Sequence, residues 1–183
     1  MALMDNYEWC NVVFSDEKKW NLGGPDGMRY SWIDTRRNEE VNMRCHSGGG
    51  SVMVWGAFCG TKTSDLKILV GKQDSAKYVA TLQTHLQPLI TSETHIFQQD
   101  NAPCHKAKLA MDWLSTQSIN VIAWPAYSPG LNPIENLWGI TTQAVYAGGK
   151  QYDTVEELKR AISKAWKQID TKDLDALVIS MRK

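Results

Sequence analysis

A mixed β-sheet flanked by helices, an α/β architecture, is the fold this sequence predicts, and three observations point to it. The first sixty residues carry apolar, strand-like runs separated by turns rich in glycine and proline. Beyond them the apolar spacing changes to the three-and-four repeat of amphipathic helices, with further strand-like runs in between. Consecutive strands followed by β-α alternation produce a sheet with both antiparallel and parallel pairs. The 183 residues, 43% hydrophobic and 22% charged, suit a single globular domain over 1–183 with its own core.

The first strand is read at Val12 to Leu22, ending in the turn Gly23-Gly24-Pro25-Asp26-Gly27, and Met28 to Ile33 is read as the returning strand of a hairpin. After Gly48-Gly49-Gly50, the continuous apolar run Ser51 to Cys59 suits a strand buried on both faces. Lys67 to Val70 adds a short edge piece. Asp74 or Ser75 caps a helix whose Tyr78, Val79, Leu82, Leu86, Leu89 and Ile90 share one face. Then come a strand at His95 to Gln99, a helix bringing Leu109, Ala110, Trp113 and Leu114 together, and a strand at Ile119 to Trp124. Pro133 opens another helix, since the first turn needs no N–H from it. Thr154-Val155-Glu156-Glu157 is a capping box for a helix aligning Val155, Leu158, Ile162, Trp166 and Ile169. Leu174 to Met181 forms a last amphipathic piece.

Composition narrows the function. No apolar stretch approaches the roughly 20 residues of a membrane span, so no membrane partner is expected. The first eight residues lack the build of a signal peptide. Cys10, Cys45, Cys59 and Cys104 form no CxxC pair, which argues for reduced thiols and against a zinc site. Net charge is zero, with basic residues only in small groups such as Lys18-Lys19 and Arg36-Arg37, so tight autonomous DNA binding is not expected. Most of the eight tryptophans serve a core. Trp124 and Tyr127 are either packing residues or platforms on which bases stack.

Three carboxylates stand out by position. Asp16 ends the apolar run Asn11-Val12-Val13-Phe14-Ser15, with Glu17 as its competitor; strand alternation sends the two to opposite faces. Asp100 ends the run His95-Ile96-Phe97-Gln98-Gln99, and ligands in α/β sheets collect at such C-terminal strand ends. His105, five residues on, is either a partner of the site, a phosphate contact or a surface histidine. Glu135 has a rival explanation, because Asn132-Pro133-Ile134-Glu135 also has capping-box spacing. Glu135 lies off the face formed by Ile134, Leu137, Thr141 and Val145, on the side of Trp138 and Gly139, where an acid can face the strand ends. Oxygen ligands of this kind suit Mg²⁺ or Mn²⁺, and two such ions about 3.5–4 Å apart can drive an in-line displacement at phosphorus.

At these residues the sequence resembles the catalytic domain of mariner-superfamily transposases, the nematode elements especially. Phe14-Ser15-Asp16-Glu17-Lys18-Lys19 is similar to the family's first-aspartate motif, and Gly48 to Gly56 to its glycine-rich strand. Gln98-Gln99-Asp100-Asn101-Ala102-Pro103-Cys104-His105 is similar to the second-aspartate motif, and Trp124 to Trp138 to the glutamate motif. Thirty-four residues separate Asp100 from Glu135, the spacing of one large branch. The resemblance implies a ribonuclease-H-like fold and a DDE mechanism, with Asp16, Asp100 and Glu135 holding two Mg²⁺ or Mn²⁺ ions. Asn101, His105, Trp124, Tyr127 and Asn132 would support the site or touch DNA. It also implies transposon ends and target DNA as partners, a homodimer and a nuclear location.

Two departures qualify the resemblance. The family's N-terminal DNA-binding modules are absent from this stretch, and Gly130 stands where relatives carry an aspartate in the glutamate loop. A catalytically silent, transposase-derived DNA- or protein-binding module is therefore the alternative function. A ribonuclease H or junction nuclease is a third, against which the glutamate motif argues.

Overall fold

In the computed structural model, residues 9–25, 50–125 and 129–181 are described. Six strands form one sheet: β1 (Val12–Asn21), β2 (Ser51–Cys59), β3 (Lys62–Thr63), β4 (Lys67–Leu69), β5 (Ile96–Gln98) and β6 (Asn120–Val121). The order is β3-β2-β1-β5-β6, with β4 also paired to β2. β1 runs antiparallel to β2 from Val13 opposite Cys59 to Asn21 opposite Ser51. It runs parallel to β5 from Val12 beside Ile96 to Phe14 beside Gln98, and β6 is parallel to β5. The expected mixed sheet is present.

Strand alternation divides the core in two. Val12, Phe14, Trp20, Val52, Val54 and Phe58 pack with helices α3 (Pro133–Val145), α4 (Val155–Lys167) and α5 (Thr171–Ser180). Val13, Trp55, Ala57 and Phe97 pack on the opposite face with α1 (Ser75–Thr81) and α2 (Lys108–Thr116). β1 and β2 therefore lie between two helical layers, as the near-continuous apolar run of β2 requires.

The helix starts follow local chemistry. Asp74 caps α1 by accepting from the Lys77 amide at 2.9 Å, and Thr154 caps α4 by accepting from the Glu157 amide at 3.2 Å. After α1 the chain widens into a π-helical turn, Leu82–Leu86, then tightens into a 3₁₀ turn, Gln87–Leu89. Pro88 has no N–H with which to continue an α-helix, so the segment stops there. α5 begins earlier than its apolar pattern suggests, because Asp170 caps it.

β1, at Val12–Asn21, matches the strand read at Val12 to Leu22, so Asp16 lies inside the strand although the apolar run stops there. Several other elements differ from the sequence reading. The antiparallel partner of β1 over Val13 to Asn21 is β2; the returning strand expected at Met28 to Ile33 lies outside the described residues. The strand expected from Ile119 to Trp124 shortens to β6, followed by one more bond from the Ile122 amide to the Phe97 carbonyl at 2.9 Å. Leu109 is exposed rather than grouped with Ala110 and Leu114, whose buried stripe lies about 100° round the helix from it.

Gly56 decides how closely the α3 layer approaches the sheet. A Cβ there would lie 2.8 Å from the Trp138 ring and 3.1 Å from that of Trp166, two indoles that pack on each other at 4.9 Å. Trp166 is also held by its indole N–H, which donates to the Ser64 carbonyl at 2.7 Å. Gly56→Ala is therefore expected to cost about 1–3 kcal/mol of stability by overpacking, read as a lower midpoint in urea denaturation. An unchanged midpoint would show that the indoles can retreat freely.

Candidate active site

The parallel register of β1 and β5 brings the segments that carry the two aspartates side by side. Phe14 lies beside Gln98, the last pair of that register; Asp16 follows two residues on within β1, and Asp100 two residues beyond the end of β5. Asp16 sits opposite Gly56 in the antiparallel ladder, on the face covered by α3. Glu17 sits opposite Trp55 on the other face, as alternation predicts.

Ser15, buried at 4% exposure, joins the three elements that carry the acids. Its amide donates to the Gln98 side-chain oxygen at 3.2 Å, and its hydroxyl donates to the Gln98 carbonyl at 3.0 Å. Its own carbonyl accepts from the Asn132 side-chain amide at 3.2 Å. Asn132 in turn caps α3, its side-chain oxygen accepting from the Ile134 amide at 3.4 Å. The helix start is thereby tied to β1 one residue before Asp16. Glu135 follows in the first turn of α3.

Glu135 does not complete the capping box. Among the described residues its carboxylate accepts no hydrogen bond from Asn132 or any other residue, which leaves it free for other work. Trp138, on the same side of α3, is fully buried rather than turned from the core. Glu135 is half-buried at the core margin.

Burial and the neighbouring acids together shift Asp16. Burial first, and then the negative charges of Glu135, Glu17 and Asp100, lift the Asp16 carboxyl from its ordinary 3.8 to about 8. Asp100 shifts the other way, held low chiefly by its hydrogen bond with His105. Burial pulls His105 down, but its bonds to Asp100 and Glu17 outweigh this and raise it to about 10. Even so, no three Asp, Glu, His or Cys side chains stand close enough to hold a metal ion among the described residues. Mutual repulsion opposes a closer approach, and Asp100 instead engages His105.

His105 is a buried bridge, not a surface histidine. Nδ1 contacts Asp100 Oδ1 at 2.5 Å, Nε2 lies 3.4 Å from Glu17 Oε1, and the ring stacks on Tyr78 at 4.0 Å. Asn101 donates to the Trp124 carbonyl at 3.1 Å, and the Trp124 ring meets Phe14 edge-on at 6.4 Å. That contact packs the half-buried Trp124 ring against the core. Tyr127 lies outside the described residues. Among the described residues no atom lies within 4 Å of where a Cβ on Gly130 would sit, and its φ is not positive, so nothing there demands glycine. Sequence reading passed over Ser15, Gln98 and Tyr78; the available signal was polar side chains inside or beside apolar runs.

The model of the DDE superfamily endonucleases matches residues 11–159. The chain belongs to that superfamily. Its relatives place it in the Tc1/mariner branch. It is 47% identical over 176 residues to the Tc3 transposase of Caenorhabditis elegans, covering 94% of this chain and 54% of that protein. It is 34% identical over 182 residues to the Tcb2 transposase of Caenorhabditis briggsae, covering 95% and 65%. The chain thus spans about half to two-thirds of the curated relatives it matches. A paired-end complex of Mos1 transposase with a left transposon end superposes with a TM-score of 0.79 at 22% identity, covering 95% of this chain and 53% of that one. The crystal structure of the Mos1 mariner catalytic domain gives 0.70 at 19% identity, covering 95% and 78%. The likenesses to solved structures show the ribonuclease-H-like fold.

Two expectations follow. Asn132→Asp keeps an equally good helix cap but removes the donor to the Ser15 carbonyl, so it should lower stability by about 1–3 kcal/mol in urea denaturation. Stability equal to wild type would show that the Ser15 tie is dispensable. For Asp16, a folded pKa near 8 against an ordinary 3.8 means stability is fully present below about pH 4 and lost as pH rises through about 8. Asp16→Asn should therefore leave metal-free stability nearly unchanged at pH 4 and raise it at pH 8.5 by about 2–4 kcal/mol. Equal differences at both pH values would contradict the crowding of charge around Asp16.

Proposed function

We propose that the chain catalyses divalent-metal-dependent cleavage and joining of DNA phosphodiester bonds, with Asp16, Asp100 and Glu135 as the metal ligands. The observation that carries this reading is the half-buried Asp16 carboxylate, with Glu135 and Asp100 charged nearby, beside the junction of β1, β5 and α3. The donor set fits a hard cation. Its members are carboxylate oxygens, and a dication offsets the desolvation and the neighbouring negative charge that make Asp16 hold its proton. Mg²⁺ or Mn²⁺, as two ions, would supply activation of the attacking oxygen and stabilisation of the leaving one.

The chain's own residues do the rest. Asp16, Asp100 and Glu135 bind from two strands and one helix, and the Ser15-Gln98-Asn132 bonds keep those elements in register. The same carboxylate constellation serves two displacements: water as nucleophile at an element end, then the freed 3′-hydroxyl attacking target DNA. Neither displacement forms a protein–DNA bond. DNA, as transposon ends and target, is the proposed partner, with a second copy of the chain alongside and the nucleus as the place of action. Support comes from family membership and from similar Mos1 structures titled as paired-end complexes, among them one with Mn and one with Mg.

A nicking assay on supercoiled DNA with Mn²⁺ or Mg²⁺ tests the proposal. Asp16→Ala and Glu135→Ala should each reduce nicking by about 100-fold or more, the effect of losing about 3 kcal/mol of transition-state stabilisation. A well-folded wild-type chain that binds DNA without nicking it would instead support the silent binding module.

A further inference from the structure

Among the described residues Asp100 is hydrogen-bonded through one oxygen. Oδ1 accepts from the Ala102 amide at 2.9 Å and meets His105 Nδ1 at 2.5 Å. Oδ2 has no hydrogen bond among the described residues, and the side chain is 53% exposed. Two partners on one oxygen fix both the rotation of the carboxyl plane and the direction of the free oxygen.

The element behind this arrangement is itself anchored. His105 is 4% exposed, its ring stacked on Tyr78 and its second nitrogen 3.4 Å from Glu17. The Tyr78 hydroxyl donates to the Gln99 side-chain oxygen at 2.6 Å, and the Gln99 amide donates to the His105 carbonyl at 3.4 Å. Tyr78, Gln99 and Glu17 therefore hold the imidazole from its face, its backbone and its far edge. Glu17 and Asp16 are neighbours on β1 that point to opposite faces. Glu17 thus reaches Asp100 from behind, through the imidazole.

We infer that Glu17 and His105 are positioning residues that present Asp100 to a divalent cation through Oδ2 alone, as a single-oxygen ligand. Glu17, the apparent competitor of Asp16, is then no ligand but the outer end of a carboxylate–imidazole–carboxylate relay. Groups that orient a ligand from behind in this way typically govern metal affinity by about 10- to 100-fold. The inference rests on reading Asp100 as a metal ligand.

The test is Mn²⁺ binding to the full chain, followed by electron paramagnetic resonance of the free ion, with metal-free circular dichroism as the folding control. His105→Ala should weaken Mn²⁺ binding by about 10- to 100-fold while the metal-free fold persists. His105→Asn, whose side-chain amide can stand in for Nδ1, should recover most of the loss. Glu17→Ala, at a partly exposed position, should weaken binding by a smaller factor, and it decides the matter if His105→Ala does not fold. Wild-type affinity in either folded alanine variant, or equal loss in His105→Asn and His105→Ala, overturns the inference. Loss of binding in Asp100→Ala alongside such a result leaves the metal-site reading standing. No Mn²⁺ binding by the wild type, or none of it lost in Asp100→Ala, overturns both.

Discussion

Every element that carries a candidate ligand meets at Ser15. Its amide and hydroxyl hold β5 through Gln98, and its carbonyl holds the start of α3 through Asn132. Each tie acts within three residues of an acid: Ser15 beside Asp16, Gln98 two before Asp100, Asn132 three before Glu135. These polar groups are buried, so an unmade bond would cost the full desolvation of its donor or acceptor. That penalty makes the junction nearly all-or-none. The site inherits its precision from it, because ligands borne by three separate segments need a shared reference point.

Against that junction works the charge of the site itself. Asp16 is pushed up by burial and by Glu135, Glu17 and Asp100 together. A fold under selection for stability alone would not gather four acids beside buried strands. The same crowding that destabilises the metal-free chain at high pH creates the demand for a dication. The α3 layer can bring Glu135 to the sheet only because Gly56 leaves room for Trp138 and Trp166. Packing and electrostatics thus meet at one pair in the ladder, Asp16 opposite Gly56.

Much of this was legible from local pattern. β2 appeared with its predicted ends, Ser51 and Cys59, because a wholly apolar run bounded by glycine has few other uses. The caps Asp74, Asn132 and Thr154 behaved as their side chains require. Elements whose limits depend on neighbours were read less well. The strand expected from His95 to Gln99 narrowed to Ile96–Gln98, which leaves Asp100 two residues beyond its end. The strand before Trp124 shortened because it pairs only with the brief β5, and Trp124 itself turned to Phe14.

By itself the sequence determined the mixed α/β architecture, the alternation that separates Asp16 from Glu17, and the motif order and 34-residue spacing that mark the acids. Those properties depend on side-chain type and chain distance, which are written in the order of residues. Only the tertiary structure decided that the segments carrying Asp16 and Asp100 run side by side, that Ser15 unites three ligand-bearing segments, and that His105 is a buried bridge to Glu17. These depend on register and on contacts between segments up to 117 residues apart, as between Ser15 and Asn132. Local propensity carries no record of such distances; hydrogen bonding in a desolvated interior enforces them.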